Sequence, residues 1–247
     1  MAVDKKIIFL SGTAEPLAYS SESRPIGTNY PHRTPQAHAD LIHRKLKECY
    51  DKALTQRQAA AIRYKEGVYL EFSGASQHDL AVKSLENRTE GIRLLNVHED
   101  AETNTVKATV YIPAGKENYF LQKVEAYASE QTKSGKPKNN DLVSSIENVK
   151  LAMLESFWVG KPDTIPTDAP IWCELWLRYD YQTANPEPWR TTEENITFIC
   201  KENNIPIDDK RIVFPERIVK LIRANAHDLK NLISMCSFIT EIRCAPE

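Results

Sequence analysis

The sequence predicts an α+β fold made of two related lobes, which follow an irregular N-terminal arm and one long amphipathic helix. The helix is indicated by apolar residues that recur with a helical period through residues 34–66, because this period places them on one face. The lobes are indicated by short β-branched runs that alternate with helical runs. Their order is β-α-β-β-α over residues 67–130 and β-α-β-α-β over residues 172–243, which favours sheets with helices on one face. The expected division is an arm at 1–33, a helix at 34–66, a first lobe at 67–160 and a second lobe at 161–247.

A helix-start signal separates the arm from the long helix. Residues 1–33 are rich in Ser, Gly and Pro after a short apolar run, as in a loop or an arm. Thr34 suits the N-cap of a helix, and Pro35 suits its first position. Gly67 ends the pattern, since glycine is a poor helix former.

The first lobe is predicted to contain three strands and three helices. Two of the strands form a hairpin around the polar turn HEDAETN. The third helix is capped by Asp141, and its apolar face carries Leu142, Ile146, Val149, Met153 and Phe157. The predicted elements are a strand at 68–72, a helix from Ser76 to Leu85, strands at 92–97 and 105–112, a helix at 119–130, a basic loop at 131–140 and a helix at 141–157.

The second lobe begins with a strand whose two faces differ. Residues 172–178 alternate, so one face is apolar and carries Cys173, Leu175 and Leu177. A capping box formed by Thr191 and Glu194 then opens a helix. Four tryptophans fall between 158 and 189. They indicate either a packing seam or a partner-binding surface, because tryptophan is favoured in interface hot spots.

The last part of the second lobe reads as strand, helix, strand and tail. Residues 211–223 form a branched apolar run that contains Pro215, and Asn225 caps the helix that follows. Residues 238–242 close the lobe, and an extended tail occupies 243–247. Proline removes a ladder donor, so Pro215 either splits the run into two strands or lies in a bulge. If the run is split, the lobe has the order β-α-β-β-α-β, which is ferredoxin-like.

The composition favours a protein of the cytoplasm. The formal net charge of −2 gives no whole-chain reason to expect a nucleic acid or an anionic membrane as a partner. No apolar run approaches the ~18 residues of a membrane span, and the run near the N-terminus is too short for a signal peptide. The five cysteines lack a CxxC pair and suit free, mostly buried thiols; they are Cys49, Cys173, Cys200, Cys236 and Cys244.

The sequence shows no catalytic constellation. It lacks G-x-S-x-G, a P-loop, G-x-G-x-x-G and H-E-x-x-H. His38 and His43 are five residues apart on the long helix, so they do not form an i, i+4 zinc pair. We therefore predict no catalytic residue, no metal site and no cofactor.

Several stretches together resemble a known family. These are PHRTPQAHADLI, YLEFSG, KATVYIPAGKENYFLQKVEAY, GKPKNNDLVSSIENVKLAMLESFW, WCELWLR, FPERIVKLIRA and TEIR, in this order. They resemble the N-terminal region of large bacterial subtilisin-like serine peptidases, in which a catalytic domain follows. Some members of that group are paired with an AAA-type ATPase in anti-phage defence. The triad motifs of the family have no counterpart in this chain, so no catalytic residue is carried over.

The resemblance implies a non-catalytic, propeptide-like or regulatory domain. Its expected partner is a subtilase catalytic domain, in the same polypeptide or in trans, with an AAA-type ATPase as a further partner. Subtilase propeptides resemble ferredoxin-like domains that pack a sheet on the protease and lay a tail into its cleft. The residues expected to meet the protease or partner are Trp172, Trp176, Arg243, Cys244, Ala245, Pro246 and Glu247.

Two other functions remain open at this level. One is a stand-alone partner-binding or sensor module, which would use the arm, the long helix and the basic loop from Lys133 to Lys138. The other is a small-molecule enzyme on an α+β scaffold, which would need polar groups that converge in a cleft.

Overall fold

The computed structural model describes residues 30–59, 65–100, 102–180 and 186–245 of the 247-residue chain. Nearly all of the predicted arm lies outside these residues. In the described part, six α-helices and two sheets confirm the α+β class. The helices are α1 (Pro35–Ala59), α2 (Asn118–Ser129), α3 (Asn140–Ser145), α4 (Leu154–Phe157), α5 (Arg190–Glu202) and α6 (Ala226–Met235). The strands are β1 (Val68–Ser73), β2 (Arg93–Asp100), β3 (Thr105–Ile112), β4 (Asn148–Leu151), β5 (Trp158–Val159), β6 (Ile171–Arg178), β7 (Ile207–Phe214), β8 (Arg217–Ala224) and β9 (Ile239–Cys244).

The long N-terminal helix is confirmed as α1, which runs for 25 residues from Pro35. Its buried apolar residues are spaced three or four apart and form one stripe, made of Ala39, Ile42, Leu46 and Cys49. This stripe packs with the apolar residues of the first sheet and of α2 in one core cluster. The end of the predicted helix, at 60–64, lies outside the described residues.

The first sheet has the strand order β2-β3-β1-β4, and every neighbouring pair is antiparallel. The side chains of Leu70 and Phe72 point to the helices and are fully buried. Tyr69 points to the opposite face and packs with the core of the second lobe. Its hydroxyl donates a hydrogen bond to the Cys236 carbonyl at 2.8 Å. Both faces of this sheet are therefore covered by protein.

Two predicted helices of the first lobe are wrong. The helix expected at 141–157 is instead α3, β4 and α4. Its middle part adds to the free edge of β1, with Val149 opposite Phe72, because the β-branched Val149 is buried equally well in a strand. The helix expected from Ser76 to Leu85 is only a 3-10 turn at Val82–Leu85. The left-handed backbone of Gln77, with φ of 62°, interrupts it.

The second sheet has the strand order β5-β9-β6-β8-β7. The pair of β5 and β9 is parallel and the other pairs are antiparallel. Pro215 does split the branched run, since it forms a two-residue turn with Glu216 between β7 and β8. Four strands of each lobe follow the same spatial order. If they are numbered 1 to 4 along the chain, the order is 4-1-3-2, which is β4-β1-β3-β2 in the first lobe and β9-β6-β8-β7 in the second.

Helices α5 and α6 cover one face of the second sheet. The predicted cap of α6 is confirmed, because Asn225 and Asp228 form a reciprocal capping box. The predicted capping box of α5 is wrong, since the helix begins at Arg190 and Trp189 is its N-cap. The closing strand also extends further than predicted, to Cys244, so the tail begins at Ala245.

Candidate functional site

The candidate functional site is the face of the second sheet that points away from α5 and α6. Along β6, Cys173, Leu175 and Leu177 are fully buried on the helix-covered side, as the alternation predicted. The side chains between them point the other way, and Trp172 is 44% exposed. We call this second surface the outer face. It consists of Trp172, Glu174 and Trp176 of β6, Ile212 and Phe214 of β7, Val219, Leu221 and Arg223 of β8, and Glu241 and Arg243 of β9.

Apolar exposure is concentrated on this face and its edge strand. Ile212 is 59% exposed and Phe214 is 42% exposed, both on β7 at the sheet edge. Together with Trp172 and Val213, they make up half of the strongly exposed large apolar side chains in the described ranges. An apolar surface concentrated in this way is typical of an interaction site.

A rigid aromatic ridge crosses the outer face and consists of Phe214, Trp176 and Arg243. The rings of Trp176 and Phe214 are stacked, with centroids 5.5 Å apart and an interplanar angle of 8°. The Arg243 guanidinium lies 4.4 Å from the Trp176 ring centroid. The indole N–H of Trp176 donates to Glu174 at 2.9 Å. These contacts fix the ridge side chains before any partner arrives, which lowers the entropy cost of binding.

One end of the outer face is closed by the first lobe. The Arg178 guanidinium lies 4.8 Å from the Tyr111 ring centroid, and Arg217 reaches the Leu95 carbonyl at 3.5 Å. Burial lowers the pKa of Arg217 from its usual value, and the carboxylate of Glu241 opposes this shift. The open part of the face therefore extends from the ridge toward Trp172.

A small cleft at the junction of the lobes gathers arginines, but carboxylates already neutralise most of them. Arg93 donates to Asp180 at 2.6 Å, and Arg88 holds Glu216 with two hydrogen bonds of 2.9 and 3.3 Å. These pairs join the lobes and leave little charge for a ligand.

Two larger cavities, of about 290 and 600 Å³, both border Lys65. The Lys65 ammonium donates to the Ile233 carbonyl at 2.9 Å. Burial lowers the pKa of Lys65 to about 8. No cluster of three or more His, Cys, Asp or Glu that could hold a metal ion occurs in the part of the chain that the structure describes.

The structure brings together some of the sequence-predicted site residues and separates others. Trp176 and Arg243 touch in the ridge, and Trp172 lies on the same face. Cys244 points to the helix-covered side, opposite Cys173. The Ala245 amide donates to the Trp172 carbonyl at 3.0 Å. Pro246 and Glu247 lie outside the described residues.

Sequence reasoning missed Ile212 and Phe214. The signal that would have found them is the Pro215 turn, because it makes 211–214 an edge strand whose alternate side chains share the face of Trp176.

Comparisons of the chain with models of protein families, with curated proteins and with solved structures found no match in any of the three. Among the described helices, none is long and apolar enough to cross a membrane.

Proposed function

We propose that this chain is a non-catalytic, propeptide-like or regulatory domain of a subtilisin-like serine peptidase. It docks on the peptidase domain, in the same polypeptide or in trans, through the outer face of the second sheet. The observation that carries this proposal is the open outer face itself, with the exposed Trp172 beside a preformed aromatic ridge. Tryptophan and arginine are the side chains most enriched among binding hot spots.

The strand order supports a ferredoxin-like assignment for both lobes. The second lobe runs β6-α5-β7-β8-α6-β9, with β9, β6, β8 and β7 side by side, and this element order is the one expected of that fold. The first lobe has the equivalent strand order, but a 3-10 turn replaces its first helix. Because helices occupy the other face of the second sheet, the outer face is the sheet surface left for docking.

The geometry of the ridge favours a protein partner over a single-stranded nucleic acid. A nucleic-acid platform offers free aromatic faces on which bases stack. The Trp176 ring is instead held between Phe214 of β7 and Arg243 of β9, which lie on opposite sides of β6. No ring face of Trp176 is left for a base.

An AAA-type ATPase partner, a role in anti-phage defence and a cytoplasmic location belong to the same proposal. The ATPase partner and the defence role rest on the family resemblance of the sequence, and the location rests on its cysteine usage.

The test is to mix the chain with the separately expressed peptidase domain and to measure both binding and proteolysis. We expect Trp172→Ala to weaken binding by about tenfold or more, because a buried tryptophan anchor contributes at least ~1.4 kcal/mol. The matched control is Val97→Ala, on β2 of the first sheet, where the side chain is 43% exposed; it should leave binding unchanged. If no complex forms and proteolysis is unaffected, the docking function is wrong.

A second candidate is a stand-alone partner-binding or sensor module that uses the basic loop. The loop is an ordered hairpin, since Gln131 pairs with Pro137 and the Thr132 amide donates to the Lys136 carbonyl at 2.8 Å. The side chain of Lys133 is exposed on this hydrogen-bonded hairpin. Loss of ATPase binding in Lys133→Glu, with peptidase binding intact, would favour this function.

A further inference from the structure

Two cysteines face each other across neighbouring strands of the second sheet. In the antiparallel register of β6 and β9, Cys173 lies directly opposite Cys244. Residues directly opposite each other share a face, so both side chains point to the helix-covered side. The thiols are free. Each Sγ makes only a long contact with a nearby carbonyl, at 3.7 Å for Cys173 and 3.6 Å for Cys244.

The ladder around this pair has the geometry that a disulfide requires. The Ala245 amide donates to the Trp172 carbonyl at 3.0 Å, which makes Trp172 and Ala245 a hydrogen-bonded pair. Hydrogen-bonded and non-hydrogen-bonded pairs alternate along antiparallel strands, so Cys173 and Cys244 form a non-hydrogen-bonded pair, whose Cα atoms lie about 4.5 Å apart. Disulfides span Cα separations of about 4.4–6.8 Å.

Solvent access distinguishes the two thiols. Cys244 is exposed at the end of β9, whereas Cys173 is buried, as are Cys49, Cys200 and Cys236. A reagent in solution therefore meets Cys244 first, and Cys173 is the thiol placed to resolve the product.

The geometry points to a reversible disulfide between Cys173 and Cys244, formed by exchange with a small disulfide such as oxidised glutathione. The Cys244 thiolate attacks one sulfur of the small disulfide, forms a mixed disulfide and releases one small thiol. The Cys173 thiolate then attacks Sγ of Cys244, forms the protein disulfide and releases the second small thiol. The two cysteines are oxidised and the small disulfide is reduced, with each departing thiolate taking up the proton that a cysteine has lost.

The resolving step is expected to depend on pH. Burial raises the pKa of Cys173 to about 12, and the neighbouring Cys244 adds to this shift. Because only the thiolate attacks, closure of the disulfide is slow at neutral pH and accelerates as the pH rises. In a reducing compartment the pair stays open until oxidant accumulates, as cytosolic redox-sensing pairs do.

The consequence for regulation rests on the proposed docking function. Closure ties the end of β9 to β6, so it holds Arg243 in the ridge and Ala245 beside Trp172. We expect the oxidised form to dissociate more slowly from the peptidase domain than the reduced form does. Equal dissociation rates would overturn this consequence, whereas absence of any complex would overturn the docking function and leave the disulfide standing.

The disulfide itself is tested without a partner. The reduced chain is incubated with oxidised glutathione at mildly alkaline pH and quenched in acid, and its thiols are counted after unfolding. We expect the count to fall by two from five, and peptide mapping to join the peptides of Cys173 and Cys244. Cys244→Ser, a change at an exposed position, should show no such fall, and the control Cys49→Ala should still lose two thiols.

In the Cys173→Ala variant, the reaction should go no further than the mixed disulfide between glutathione and Cys244. The same end point in the unmodified chain, with Cys173 still a thiol after long incubation, would overturn the inference. A disulfide that joins Cys200 to Cys236 instead would do the same.

Discussion

Removing the carboxylate of Glu193 should destabilise the second lobe far more than removing the ammonium of Lys220. Lys220 lies on the helix-covered side of β8, with 2% of its side chain exposed. Its Nζ is 3.0 Å from Glu193 Oε1 and 3.2 Å from the Asp209 carbonyl oxygen. Glu193, in the first turn of α5, also accepts from Arg211 at 3.3 Å. Glu193→Gln therefore leaves a buried ammonium without a carboxylate, whereas Lys220→Met leaves Glu193 paired with Arg211.

The two substitutions should lower the unfolding free energy by different amounts, because only Glu193→Gln leaves a buried charge without its partner. Removing one partner of a buried ion pair costs about 3–5 kcal/mol, and an apolar replacement of the charged group that avoids a stranded charge is often neutral. Glu193 keeps 16% of its side chain exposed, so we expect about 3 kcal/mol for Glu193→Gln and less than about 1 kcal/mol for Lys220→Met.

Urea unfolding, followed by tryptophan fluorescence, measures the difference. With a slope of about 2–3 kcal/mol per molar urea, the midpoint of Glu193→Gln should fall by about 1 M or more. Lys201→Met, at an exposed position of α5, is the control and should not move the midpoint. A Lys220→Met midpoint as low as that of Glu193→Gln would refute the reasoning.

Two further predictions concern the backbone and the pH dependence. Gly67→Ala should cost at least about 2 kcal/mol in urea unfolding, because its Cβ would lie 2.5 Å from the Ile112 carbonyl oxygen. Gly115→Ala, which shares a left-handed φ but has no atom within 4 Å of its Cβ, should cost only about 1 kcal/mol, and equal costs would contradict the clash. The folded-state pKa of Lys65, lowered to about 8 by burial, means that the unfolded chain binds more protons between that pH and the ordinary lysine value. Above pH 8, the unfolding free energy of the unmodified chain should therefore rise relative to that of Lys65→Met by about 1.4 kcal/mol per pH unit. If the difference between the two unfolding free energies stays constant to pH 10, the lowered pKa of Lys65 is excluded.

Local patterns predicted those elements whose signals are contained in their own residues. The stripe of α1, the alternation of β6 and the N-cap at Asn225 are examples. The prediction for 141–157 was wrong because its apolar spacing suits a helix, while the β1 residues with which β4 pairs lie 75 or more positions away. The periodicity of apolar residues within a segment does not indicate whether the segment pairs with a strand that is distant in the sequence.

Some residues of the candidate site were predictable from the sequence, but the surface that they form was not. Trp176 and Arg243 were each expected to meet a partner, the first from a tryptophan-rich stretch and the second from a tail. Arg243 belongs to β9 instead, because the ladder with β6 continues through Cys244. The register of β9 against β6, which no local pattern specifies, is what brings Arg243 onto the Trp176 ring.

The first lobe provides an internal precedent for what an outer face of this kind binds. Its own sheet turns Tyr69 and Thr109 away from the helices, as the second sheet turns Trp172 and Trp176. That face is covered by segments of the second lobe. Tyr69 donates to the Cys236 carbonyl at 2.8 Å, and Asn96, opposite Thr109 in the ladder, donates to the Thr240 carbonyl at 2.7 Å.

Two lobes with the same strand order therefore have different surroundings. The first sheet buries its outer face against a neighbouring protein segment, with an aromatic side chain and backbone carbonyls as the contacts. The described residues contain no third lobe that could cover the outer face of the second sheet in this way. Its exposed ridge and Trp172 offer the same kinds of contact. A partner that covers this face would complete in the second lobe the packing that the first lobe already has, and this supports a protein domain as the occupant.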